Sequence, residues 1–214
     1  MPSRPAAVGA DPTPTARRKP PEARRAEMIT AASALALSEG LDRVTARRVA
    51  DTLGVFPGLV SHYFGTADDL VAAAFGHAAA QERDELFARA ERGLTAKSRM
   101  RRLLAQWLAP DRDALSLLWL DAWQASRRRP ALLAEVSRQM ELDTGRLAAL
   151  IEAGVSDGQF HTRSPSRSAL RIMAMVDGFS VQAAVRTTID YDDVRPMVLR
   201  GAERELGLAD GTFV

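Results

Sequence analysis

The sequence contains no cysteine, which excludes a disulfide-built fold and any zinc or iron–sulfur centre held by thiolates. Long apolar runs are missing too. The most hydrophobic stretch, Leu103 to Leu120, is broken by Pro110, Asp111, Arg112 and Asp113, well short of the roughly 20 apolar residues that span a bilayer. No apolar segment follows the basic residues of the N-terminus, so it does not read as a secretory signal; the expectation is a cytoplasmic protein without a membrane partner. Histidine is scarce, and His62, His77 and His161 fall in separate segments without metal-ligand spacing. Neither a glycine-rich phosphate loop nor a Gly-x-Ser-x-Gly elbow occurs. No catalytic residues, cofactor or metal site are therefore expected. Strand-type alternation of apolar and polar residues is absent as well.

What is present is a chain of 214 residues, 46% hydrophobic, long enough to bury a core and to append a small domain to a larger one. The net charge is only +2, but arginine far outnumbers lysine and is clustered, as in Arg17-Arg18-Lys19, Arg24-Arg25, Arg47-Arg48, Arg101-Arg102 and Arg127-Arg128-Arg129. Clusters matter more than the total for an anionic partner, because local potential decays within a Debye length of roughly 8 to 10 Å. This pattern permits a nucleic-acid partner without demanding one.

Residues 1–21, rich in Pro, Ala, Thr and Arg, have no periodic large apolar residues to offset the entropy of ordering and read as a flexible arm. Its Arg17, Arg18 and Lys19 either reach DNA or are solvated. From Glu22 onward Met28, Ile29, Ala32, Leu35 and Ala36 recur at helical spacing, and Gly40 supplies a stop. Thr45 is an N-cap for a short second helix that turns Val49, Ala50 and Leu53 inward, and Gly54 permits the positive φ that reverses the chain. Pro57 opens a third helix reaching about Tyr63, and Gly65 and Thr66 precede a long fourth helix through about Arg92. Further helices are expected at about 96–108, 112–127, 131–155, 165–187 and 191–206. The predicted fold is all-α, with three N-terminal helices over 22–66 followed by a helical bundle over 67–214.

In a helix-turn-helix the second helix of the pair enters the major groove and the first bridges the backbone. Within Thr45 to Phe64 the groove-facing candidates are Gly58, Leu59, Ser61 and His62. A threonine-started helix, the Gly54-Val55 turn, the Pro57-Gly58 step, the Tyr63-Phe64 pair and the following Gly65 to Leu70 resemble the TetR family signature, and this resemblance is strong over about residues 24–75. It implies an N-terminal three-helix helix-turn-helix DNA-binding domain over 22–66, a C-terminal helical bundle over 67–214 for ligand binding and dimerisation, and a DNA-binding transcriptional regulator acting as a homodimer on a palindromic operator. It also implies that Thr45 and Tyr63 bond phosphates, that Arg47 and Arg48 lie near the backbone, and that Leu59, Ser61 and His62 face bases. On the residues alone Tyr63 is either a phosphate ligand or core, and Arg47, Arg48 and His62 are either DNA contacts or merely exposed. Two positions depart from the pattern. Phe56 replaces a small hydroxyl residue that caps the recognition helix, a contact typically worth about 1 kcal/mol. Ala67 replaces a lysine that touches phosphate, which lowers the expected salt slope by about one unit.

In the C-terminal half, residues 117–133 and Ala174 to Phe179 are similar to the BetI-type subgroup, whose named member represses choline-to-betaine genes. Trp119 and Trp123 share a helix face, while Asp121 points about 200° away. Paired indoles with an acidic group nearby are able to hold a quaternary ammonium by cation–π contact; the bland alternative is that both are bundle core. Met140, Met173, Met175 and Phe179 line the same cavity or fill the core. Asp177, in an otherwise apolar helix, either pairs with an arginine across a dimer interface or meets a cationic small-molecule effector. The terminal helices present Leu170, Met173, Ala174, Val181, Val185, Val194, Val198 and Leu199, which suits a four-helix bundle with a symmetry mate. A palindromic operator needs such a dimer, since two recognition helices must meet successive major grooves about 34 to 36 Å apart. The expected mechanism is repression relieved when ligand pivots the fourth helix and changes that separation.

Overall fold

The computed structural model describes residues 20–109, 112–185 and 191–213, with Tyr191 described by its backbone only. Among these residues the regular structure is entirely helical: α1 (Pro21–Glu39), a 3₁₀ turn (Leu41–Arg43), α2 (Ala46–Leu53), α3 (Pro57–Phe64), α4 (Ala67–Ala90), α5 (Ala96–Trp107), α6 (Asp113–Ser126), α7 (Pro130–Ser156), α8 (Pro165–Val185) and α9 (Tyr191–Glu205). The expected helices are therefore present with ends shifted by a few residues. Of the flexible arm expected over 1–21, residues 1–19 lie outside the described residues, and Pro21 is already the first residue of α1. The expected last two residues of the 165–187 helix also lie outside them.

Local signals in the chain set the helix boundaries. Thr45 accepts a hydrogen bond from the Arg48 N–H at 3.3 Å and so caps α2. Gly54 ends α2 in the left-handed region, at φ 65° and ψ 35°, a conformation costly for a side chain with Cβ. Thr66 and Asp69 form a reciprocal capping box at the start of α4. By contrast α3 starts at Phe56-Pro57 without a side-chain cap.

Two apolar cores share α4 and α7. The first gathers Met28 and Leu35 of α1, Val49 of α2, Val60 and Phe64 of α3, Leu70 and Phe75 from the first half of α4, Leu118 of α6 and Leu132 and Val136 of α7. The second joins Leu86 and Phe87 near the end of α4 to Met100 and Leu103 of α5, Leu147 and Ile151 of α7, Ile172 and Val176 of α8, and Val198 of α9. Full burial of each such side chain stabilises by roughly 1.5 to 3 kcal/mol, so the three-helix head is fastened to the body through α4 and not by a flexible linker. The head's core thus continues past residue 66 into the first half of α4, α6 and α7.

The chain end is tied down by a wholly buried carboxylate. Glu203 accepts hydrogen bonds from the main-chain N–H groups of Gly211, at 2.9 Å, and Phe213, at 2.6 Å. Those bonds seat the Phe213 ring in the second core.

Candidate functional site

The outward surface of α2 and α3 brings the DNA-reading candidates together. Val60 and Phe64 turn into the first core, which leaves Gly58, Leu59, Ser61 and His62 exposed on the other side of α3. Thr45 is exposed at the start of α2; its oxygen is occupied by the Arg48 N–H, while its own O–H donates to no group among the described residues. Tyr63 is half-buried, packing its ring against the first core and edge-on to His62 at 5.8 Å, and its hydroxyl has no hydrogen-bond partner among the described residues. The two alternatives for Tyr63 are compatible: its ring is packed and its hydroxyl is available. Arg47 is exposed and has no ion pair among the described residues. Arg48 is different, because Glu39 at the end of α1 grips both of its terminal nitrogens at 2.6 and 2.7 Å. That fork of hydrogen bonds lowers the Glu39 pKa and raises that of Arg48.

About two-thirds along α4 the same helix forms one wall of a cavity of about 170 Å³. Trp119 and Trp123 of α6, Met140 of α7, and Met173 and Asp177 of α8 all line it, so five of the six ligand-site candidates converge. The indoles lie 5.8 Å apart at 46°, and Trp119 also stands edge-on to Phe75 at 4.9 Å. Trp119 therefore both packs against the first core and faces the cavity. Asp121 does not line the cavity. It sits on another face of α6, bordering a groove with Leu41, Asp42 and the Arg127-Arg128-Arg129 turn. Phe179 is buried in the second core, and Met175 lies against Gly201 of α9.

Sequence reasoning missed the charged groups of the cavity wall. Arg83 on α4 donates to Gln139 Oε1 at 2.6 Å and to Asp143 Oδ1 at 3.1 Å, both on α7, and Arg112 forms an ion pair with Glu82. Desolvation lowers the Arg112 guanidinium to about 10, still cationic at neutral pH. Burial raises Asp143 to about 6 despite its pairing with Arg83. Asp177 is likewise raised to about 6, first by burial and then by the negative charge of Asp143. It has no hydrogen bond or ion pair among the described residues. With Glu82, Asp143 and Asp177 against Arg83 and Arg112, the ionised cavity has one anionic charge in excess. Only i, i+4 logic linking Gln139 and Asp143 on one face of α7 hinted at this cluster, and the partners on α4 lie some 60 positions away.

A helix-turn-helix head carried on the first helix of a cavity-bearing helical body is the plan of a DNA-binding transcriptional regulator. Residues 28–74 match the family described as bacterial regulatory proteins, tetR family, and residues 96–207 match the BetI-type transcriptional repressor C-terminal family. The chain is 30% identical over 190 residues to the HTH-type transcriptional regulator BetI of Paraburkholderia phymatum, covering 81% of this chain and 93% of that one. It is 27% identical to BetI of Rhizobium meliloti, over 78% of this chain and 87% of that one. Among solved structures, a TetR-family regulator from Rhodococcus sp. superposes with a TM-score of 0.73 at 22% identity, covering 86% of this chain and 99% of that one. A regulator from Saccharomonospora viridis in complex with choline superposes with a TM-score of 0.68 at 20% identity, over 83% and 94%. The chain belongs to the tetR family of bacterial regulatory proteins and carries a BetI-type C-terminal domain. Its relatives are regulators of transcription and not enzymes. No helix among the described residues is long and apolar enough to cross a membrane.

Proposed function

We propose that this protein is a dimeric repressor that holds a palindromic operator and releases it when a small organic cation enters the cavity between α4, α6, α7 and α8. The observation that carries this reading is Asp177, a carboxylate with no cation of its own beside two indoles in a cavity of net negative charge. A quaternary ammonium gains roughly 0.5 to 2 kcal/mol over each indole face and an anionic partner in Asp177. The choline complex of the Saccharomonospora viridis regulator, which has the same fold, points to the same ligand class.

The route from ligand to DNA is short. Glu82, Arg83, Leu86 and Phe87 on the cavity wall belong to α4, whose first half is part of the head's core. α6 presents Trp119 and Trp123 to the cavity and Asp121 to the groove beside the 3₁₀ turn. A ligand that fits only one arrangement of α4 and α6 selects the matching spacing of the two recognition helices, and a coupling of about 1 to 3 kcal/mol suffices for regulation.

The decisive test is selection of bound genomic fragments by the purified protein at near-physiological salt, followed by titration with choline. Recovery of a palindrome whose affinity drops 5- to 150-fold with choline is the expected result. A recovered operator that neither choline nor tetramethylammonium affects would overturn the cation-release reading and leave the DNA-binding function standing.

A further inference from the structure

At its N-terminal end the outward face of α3 exposes two apolar side chains beside the polar Ser61 and His62. Phe56, the residue before the helix, is 86% exposed, and Leu59, one turn on, is 37% exposed. Leu59 and His62, three apart, share one side of α3, and Phe56 stands at its N-cap in an extended conformation. Phe56 is also held firmly: its carbonyl accepts from the Leu59 N–H at 2.9 Å, and Pro57 follows it. Beside it, a Cβ built on Gly58 would meet nothing within 4 Å. Among the described residues nothing requires glycine at that position, which leaves room there for an approaching backbone or base.

We infer that Phe56 is a base-reading residue, its ring packing on the C5-methyl group of an operator thymine as α3 enters the major groove, while Gly58 lets the backbone come close. The inference rests on the DNA-binding role of α3 and adds to it the chemistry that one position recognises. A phenyl ring has neither donor nor acceptor, so it gains nothing from phosphates or from the polar edges of guanine and cytosine. The one apolar group that base edges offer in the major groove is the thymine methyl. Phe56 stands at the start of the helix that carries Leu59 and His62, the candidate groove-facing residues, which argues for double-stranded DNA as the occupant. The residue that costs α3 its side-chain cap is, on this reading, kept for what it touches outside the chain.

The test uses the full-length protein and the operator recovered by selection, with each thymine replaced in turn by deoxyuridine, which removes the methyl and leaves every hydrogen-bonding edge intact. One thymine per half-site is expected to lose about four- to tenfold in affinity on replacement, the scale of a buried methyl or a single base contact. Phe56→Ala should lose the same factor on the thymine operator and become indifferent to uracil there. Phe56→Ser, which restores a helix cap, should melt no lower than wild type and still show no methyl effect, separating folding from reading. Methyl sensitivity that is equal in wild type and Phe56→Ala, or absent from both while the operator is still bound, would overturn the assignment alone, and would leave a protein partner as the occupant of this face. A wild-type protein that selects no operator would overturn the DNA-reading function and the assignment with it.

Discussion

Gln139, wholly buried in α7, donates from Nε2 to the main-chain oxygen of Gly76 in α4 across 3.2 Å. The same nitrogen donates to Glu135 Oε1 at 2.7 Å, and its Oε1 accepts from Arg83 at 2.6 Å. One side chain therefore ties the middle of α4 to α7 and to a cavity-wall arginine, at a level between the recognition helix and the cavity. A Cβ at Gly76 would meet only the carboxylate end of the flexible Glu135 side chain.

Replacing Gln139 with leucine keeps the volume and removes the bonds. Arg83 then retains Asp143 but loses its shorter partner in a nearly dry site. Loss of about 2 to 3 kcal/mol in urea unfolding is expected, with an unchanged denaturant slope. A variant as stable as wild type would mean that solvent reaches Arg83 freely.

Gly154 of α7 faces the buried ring of Phe160, and a Cβ there would overlap that ring and press on Ala96. Neither neighbour is a flexible chain end. Gly154→Ala is expected to destabilise by about 1 to 3 kcal/mol, whereas Gly58→Ala, at a helical position with room for a Cβ, should hold or slightly raise the melting temperature and weaken operator binding. Thermal melts of the two variants side by side check the pair.

Asp177 connects stability to response. Its folded pKa of about 6 lies above the ordinary aspartate range, so the folded chain binds this proton more tightly than the unfolded chain does. The penalty is absent below about pH 4, grows as pH rises through 6 and is complete above it. Asp177→Asn should therefore raise stability at pH 8 by about 1 to 3 kcal/mol, an advantage that vanishes near pH 4, and should abolish the response to choline.

The same proton should compete with the ligand. A bound cation favours ionised Asp177, so choline affinity measured by calorimetry is expected to fall as pH drops through about 6, with proton uptake by the released protein. A flat profile from pH 5 to 8 would place the cation away from Asp177.

Glu39 holds Arg48 in a two-pronged exposed ion pair. If Arg48 serves the DNA backbone, that grip competes with phosphate. Glu39→Gln should then steepen the salt dependence of operator binding by about one unit and tighten binding to all sequences alike. An unchanged slope would assign Arg48 to fastening α1 against α2.

The sequence by itself determined the helices and the head, because the signals for them are local. Helical periodicity, the Thr45 and Thr66 caps and the left-handed Gly54 act over three or four residues, and the Thr45–Phe64 unit bears its spacing openly. It also named four of the cavity's aromatic and sulfur residues, Trp119, Trp123, Met140 and Met173, which lie on three helices of apolar pattern, but not Phe87 or Trp107. The tertiary structure alone decided which polar groups join them. Arg83 meets Asp143 60 positions away, and Asp177 feels the field of Asp143 only because α7 and α8 pack together. Asp121, two residues from each indole, turns to a different groove. Helical spacing fixes the angle between side chains on one helix, but the neighbour each side faces is chosen by packing, and the burial that sets a carboxylate's pKa arises only from that packing.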